Sequence, residues 1–188
     1  MIAPARVEII QTLRPAMSRE EALAKLCPAG LPGLLRSALR GPLRRIADAY
    51  VPYRLYRVEA EGVPRFGTQY MALDAVQGTL DPYRFEGVPV GPSLVSLETR
   101  NRLPRTLEED RTRELLIESV RRWVYQRGFF RLRRLEIRLE LVPLDLHIPY
   151  WLAFYGMDER THISVLDAVR RQVEGARARD LFRRWLLT

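Results

Sequence analysis

Tyr50-Val51-Pro52-Tyr53-Arg54-Leu55 and His147-Ile148-Pro149-Tyr150-Trp151-Leu152 are two versions of one pattern. Each sets a Pro-Tyr pair inside a run of apolar and aromatic residues. Proline has no N–H to give to a ladder, so each pair marks the first residues or the edge of a strand. The tyrosine can bury its ring and keep its hydroxyl at the sheet rim. A second match follows downstream in the same order: Met71-Ala72-Leu73-Asp74-Ala75-Val76 and Ser164-Val165-Leu166-Asp167-Ala168-Val169. A helical pattern precedes the Pro-Tyr element both times. Matching pairs in matching order predict a duplicated helix–strand–strand unit.

Outward from these anchors, residues 50–60 and 67–76 read as strands around the turn Glu61-Gly62-Val63-Pro64, and Asp74 to Gly78 closes a second turn. The second copy has no such glycine, so Asp167 is expected to cap the terminal helix. Leu34, Leu35, Ala38, Leu39, Leu43, Ile46 and Ala47 share one side of a helix over 33–49, kinked at Gly41-Pro42. Ser18-Arg19-Glu20-Glu21 and Thr106-Leu107-Glu108-Glu109 fit capping boxes, opening helices over 19–27 and up to Gln126. In 129–142, Leu135, Ile137, Leu139 and Leu141 alternate with charges, which favours a strand over the helix that Leu132, Leu135, Leu139 and Val142 would allow. Pro143 is expected to end it. Residues 146–156 and 161–166 read as strands and 168–187 as an amphipathic helix.

The organisation expected is an N-terminal extension (1–30), a first helix–hairpin unit (31–81), a Pro/Gly-rich linker or arm (82–105), and a second helix–sheet–helix unit (106–188). The fold class is α+β: two related units forming one antiparallel sheet or two abutting sheets, with helices on one face.

Tyr56-Arg57-Val58-Glu59-Ala60-Glu61-Gly62 followed by Tyr70-Met71-Ala72-Leu73-Asp74-Ala75-Val76-Gln77-Gly78-Thr79-Leu80-Asp81 resembles a PepSY-type domain. The stretch has that family's strand, turn, strand and Asp-Ala-x-x-Gly. The resemblance implies a helix packed on a small antiparallel sheet and a non-catalytic binding or inhibitory role. The second unit departs from it by lacking the glycine.

The chain has 188 residues, 47% of them hydrophobic, enough for a real core. It carries 31 Lys plus Arg against 23 Asp plus Glu, a net +8, and Lys25 is its only lysine. The excess is spread along the chain, so it would attract polyanions only diffusely. The N-terminus lacks a basic stretch followed by a long apolar one, and no apolar run is long enough to span a bilayer. With the lone Cys27, the expectation is a cytoplasmic protein.

Candidate chemistry is sparse. Asp145 and His147 face the same way on a strand and, with His162, would make an acid–base pair or metal site if they converged. Cys27 with a histidine would be a nucleophile and base, but nothing around it suits an oxyanion hole. Asp74 and Asp167 would be paired carboxylates, although turn and capping roles already explain them. No phosphate-cradling, dinucleotide or zinc motif occurs, so no catalytic residue, metal or cofactor is expected. Arg121, Arg122, Arg127, Arg131, Arg133 and Arg134 interleave with Trp123, Tyr125, Phe129 and Phe130, the mixture single-stranded nucleic acid uses. Tyr, Trp and Arg also dominate protein interfaces. The leading expectation is a non-catalytic binding or adaptor protein, or a self-associating one, with Tyr53, Tyr150, Trp151, Arg131, Arg133 and Arg134 at its surface. The alternatives are nucleic-acid binding and, after it, a hydrolase using Asp145 and His147.

Overall fold

The structure is a computed structural model and describes residues 7–27, 41–63, 66–126, 135–156 and 161–187. Two long strands organise it: β2 (Leu43–Glu61, 19 residues) and β6 (Glu136–Tyr155, 20 residues), antiparallel along their whole length. Both are rich in aromatic, β-branched and leucine residues. On the outer edge of β2 lies β3 (Thr68–Asp74), and beyond it β4 (Tyr83–Phe85). The outer edge of β6 pairs with β7 (His162–Asp167), which pairs with β8 (Gln172–Val173). Further along, β6 meets β1 (Glu8–Leu13) in parallel at Thr12↔His147, and β1 pairs with β5 (Leu94–Thr99). The result is one curled, mixed eight-stranded sheet.

Among the described residues there are three helices. Helix α1 (Arg19–Leu26) opens with the capping box expected at Ser18 and Glu21. Its Ala22 and Leu26, with Met17, pack on Ile46, Ala153, Tyr155 and Leu166. Helix α2 (Glu109–Gln126) sets Leu116, Val120 and Val124 against Tyr56, Val58, Met71 and Leu73. Helix α3 (Ala176–Leu186) inserts Ala178, Leu181 and Phe182 into the largest core, with Val51, Tyr53, Leu55, Ile148, Tyr150 and Leu152. Side chains alternate across a strand, so α1 and α2 cover one face and α3 the other. The expected single helical face is thus corrected: Phe182 is needed to cover the tyrosines that the other face leaves bare. Burying that ring contributes on the order of 2–3 kcal/mol.

Four local expectations also change. Residues 43–49 are strand, held by pairing with Tyr150 to Tyr155, so long-range pairing overrides their helical spacing. Residues 28–40 of the expected helix lie outside the described residues. Gly41-Pro42 opens β2: Gly41 has φ +80° and lies so close to Gly156 that a Cβ would come within 2.6 Å of its Cα. Residues 82–104 are built into the sheet as β4, β5 and a parallel bridge Tyr50↔Arg102. Pro143 does not end its strand. It sits where the β2–β6 register shifts between Tyr53↔Leu146 and Leu55↔Val142, a bulge that spares the ladder the missing N–H.

Candidate anion-binding cleft

The two aspartates that end β3 and β7 shape the surface above them. Asp74 is fully buried, and its Oδ1 accepts from the N–H groups of Val76 (3.2 Å), Gln77 (2.8 Å) and Gly78 (2.8 Å). Its Oδ2 accepts from Leu80 N–H at 2.9 Å. Asp167, equally buried, accepts on Oδ1 from Val169 (2.9 Å) and Arg170 (2.8 Å), and on Oδ2 from the Tyr83 hydroxyl. An aspartate that captures the N–H groups two and three residues on favours a turn over a helix. This corrects the helix cap expected at Asp167: residues 168–171 turn, β8 follows, and the helix waits until Ala176. The left-handed residue that Gly78 supplies at φ +66° is supplied here by Arg171 at φ +58°. Thr106 does not close its expected capping box either, because its hydroxyl donates to the Val76 carbonyl at 2.6 Å.

Between these turns lies a cleft of about 1000 Å³. Its floor is apolar, from Met71, Leu80, Leu115 and Trp123, and its walls carry Arg84, Arg122, Arg170 and Arg177 against Asp81 and Glu118. Arg170 is held in place: it donates to the carbonyls of Pro82 (2.6 Å) and Asp81 (3.3 Å), and its guanidinium lies 3.7 Å from the Tyr83 ring centroid. Arg84 lies over Trp123 at 4.3 Å, and Phe66 meets the same indole edge-on with centroids 5.5 Å apart. Among the described residues, Arg122, Arg170 and Arg177 make no ion pair. Many other arginines do, including Arg57, Arg102, Arg105, Arg113, Arg138 and Arg171. Guanidinium forks suit carboxylate and phosphate oxygens, so the cleft is built to take an anion.

The residues anticipated for binding do not gather there. Tyr53 and Tyr150 are buried, with hydroxyls 3.0 Å apart, and burial pushes both phenols well above their ordinary range. They present no contact surface, which corrects their expected exposure: two sheet centres leave no rim at which a hydroxyl could emerge. Trp151 is half-buried and donates to the Met17 carbonyl at 3.4 Å. Arg131, Arg133 and Arg134 lie outside the described residues.

His147 is buried, and its Nδ1 lies 3.2 Å from the Gln11 carbonyl and 3.9 Å from Asp145 Oδ1. Burial lowers its pKa, against the raising effect of Asp145. Its Nε2 is buried without a hydrogen-bond partner. His162 pairs with Tyr155, eight residues further along β6, or roughly 27 Å at about 3.4 Å per residue, so the two histidines do not converge. Asp145 is bound instead by Arg105. Cys27 is exposed, and its sulfur lies 4.0 Å from the Tyr155 hydroxyl. Among the described residues no group of three or more His, Cys, Asp or Glu could hold a metal ion, and no helix is long and apolar enough to cross a membrane.

Sequence reasoning found Arg122 and Trp123 but missed Arg84, Arg170 and Arg177. The four arginines come from β4, α2, the turn after β7 and the first turn of α3, so only the fold brings them together. In comparisons with protein-family models, curated proteins and solved structures, nothing matched this chain.

Proposed function

We propose that this protein is a non-catalytic binding module that engages a protein partner through the arginine-lined cleft. The observation that carries the reading is the cleft itself: three guanidiniums without a carboxylate partner, over an apolar floor, in the largest concavity found. The groups with chemical potential have structural work instead. Asp74 and Asp167 are saturated by turn N–H groups, and His147 joins β1 to β6.

The reading includes duplication of a PepSY-like helix–strand–strand unit. It is supported by register: Tyr53 pairs with Asp74 as Tyr150 pairs with Asp167. The Pro52 carbonyl accepts from Ala75 at 2.8 Å, and the Pro149 carbonyl from Ala168 at 3.1 Å. Tyr50 forms a parallel bridge to Arg102 as His147 does to Thr12. A half-turn about the Val51↔Ile148 pair carries each of these features onto its counterpart. Under this reading α1, which precedes β2, packs on β6 and β7, while α2, which precedes β6, reaches back to β3, so each unit lends its helix to the other. A cytoplasmic site of action fits the single free cysteine.

Nucleic acid is the second reading, favoured by the same guanidiniums beside Trp123 and Tyr125. The test is differential capture from native-host extract. Wild type, an Arg122→Glu/Arg177→Glu variant and an Arg138→Glu control serve as baits, with and without nuclease. A protein held by wild type and control but lost from the double variant, regardless of nuclease, is the expected result. Nuclease-sensitive capture would transfer the function to nucleic acid, and capture indifferent to the cleft would end the proposal.

A further inference from the structure

We infer that the cleft between α2, the Asp74 turn and the start of α3 takes an acidic, amphipathic peptide segment, one that alternates carboxylates with apolar side chains. The inference rests on the protein-binding reading above and names the partner's chemistry.

Charge is the first argument. Arg122, Arg170 and Arg177 converge from three separate elements, yet make no ion pair among the described residues. Elsewhere on the surface Arg57, Arg105, Arg138 and Arg171 each hold a carboxylate. Arg177 also stands where folding gains nothing from it. It lies in the first turn of α3, which has no acidic residue, and a cation there opposes the helix dipole. A charge kept at an electrostatically poor position is suited to an external anion.

Preorganisation is the second. Arg170 is fixed by two carbonyls and the Tyr83 ring before any ligand arrives, so little side-chain freedom is lost when an oxyanion meets its remaining N–H groups. The buried Asp167, which shapes the turn carrying Arg170, is already occupied by backbone N–H groups and by Tyr83.

The floor decides between polyanions. Met71, Leu80 and Leu115 offer apolar contact that a bare phosphate would waste. Nucleic acid needs an open aromatic face for base stacking. Trp123, the one aromatic lining the cleft, already has Arg84 over its ring and Phe66 at its edge. Asp81 and Glu118 on the walls would repel a continuous phosphate backbone, whereas a segment with spaced carboxylates can set its apolar side chains beside them.

The experiment uses fluorescence anisotropy on the full chain with three labelled probes: a short peptide of alternating glutamate and leucine, its glutamine counterpart, and oligouridylate of similar length. The glutamate peptide is expected to bind at least about tenfold tighter than either other probe. Arg122→Glu/Arg177→Glu should weaken it by at least about tenfold. Arg138→Glu, with half that charge change, and Arg57→Glu/Arg138→Glu, which matches it, should leave binding within about twofold, and thermal melts establish that each variant is folded. Equal binding of the glutamine peptide, tighter binding of oligouridylate, or equal loss in the charge-matched control would overturn the inference. If the extract experiment yields a cleft-dependent protein while the glutamate peptide fails to bind, the partner's chemistry is wrong and the binding reading stands. If neither binds, both fall.

Discussion

Asp74 and Asp167 end equivalent hairpins, yet their second oxygens meet different partners, and that difference predicts unequal responses to the same substitution. In Asp74→Asn, Oδ1 keeps its three N–H donors, but the new Nδ2 stands where Oδ2 accepted from Leu80 N–H at 2.9 Å. Two donors then face each other in a buried place. A bond to a charged group is worth about 1.5–3 kcal/mol, and the remaining three weaken as the charge goes, so the cost should be about 3 kcal/mol. In Asp167→Asn, Nδ2 instead meets the Tyr83 hydroxyl. A hydroxyl rotates to accept where it formerly donated, so the contact survives in reverse and the cost should be about 1 kcal/mol. For a chain of this length about 1 kcal/mol moves Tm by roughly 2–4 °C. Urea unfolding with thermal melts should therefore separate the variants by about 2 kcal/mol, with Asp74→Asn the weaker. Equal losses, or a larger loss at Asp167, would refute the reasoning, because they would mean that the N–H cradle and the tyrosine hydroxyl are interchangeable.

Arg171→Gly removes a left-handed penalty of about 1–2 kcal/mol at φ +58° but also the surface pair with Glu21, worth at most about 1 kcal/mol. A melt should show the variant equal to or up to about 1 kcal/mol more stable than wild type, and a clear loss would contradict the strain argument. Gly78→Ala should cost about 3 kcal/mol in urea unfolding, because φ is +66° and the added Cβ would meet Leu115 Cδ1 at 2.4 Å. His147 titrates lower in the folded chain than its ordinary 6.5, so the native state binds fewer protons than the unfolded one as pH falls. The stability it protects is complete above about pH 6.5 and is lost progressively below. Tm measured from pH 8 to 5 should fall in wild type and fall less in His147→Asn, and parallel curves would reject His147 as the source. The groups facing it are Asp145, which opposes the shift, and Arg102 and Arg105, which add to burial.

Much of the sheet was legible because its signals are local. Alternating Leu135 to Leu141, the paired Pro-Tyr elements and the Asp74 turn each carry their own physical reason. The errors came where distant pairing decides. Leu43, Ile46 and Ala47 have a helix's spacing, but a twenty-residue partner strand sets their conformation. Val169 and Val173 extend the apolar side of α3 in the sequence, yet the Asp167 carboxylate takes the N–H groups a helix would need. The cleft was the least legible part. Its cations are four among 30 arginines, and nothing in the sequence around Arg84, Arg170 or Arg177 sets them apart from those that end in ordinary ion pairs.

The tyrosines show why chemical residue type is a poor guide here. Tyr53, Tyr150 and Tyr83 look like interface residues, and all three are inside. Tyr53 meets Tyr83 edge-on at 5.5 Å and shares its hydroxyl with Tyr150, while Tyr83 donates to Asp167. Burial and the nearby carboxylate push the Tyr83 phenol upward, so it stays a neutral donor to Asp167. Such a network satisfies the buried carboxylate and fixes the turn that follows it, and from that turn Arg170 reaches the cleft wall. The buried polar groups therefore serve the surface indirectly: they hold a guanidinium still, and the anion it meets is selected outside the core.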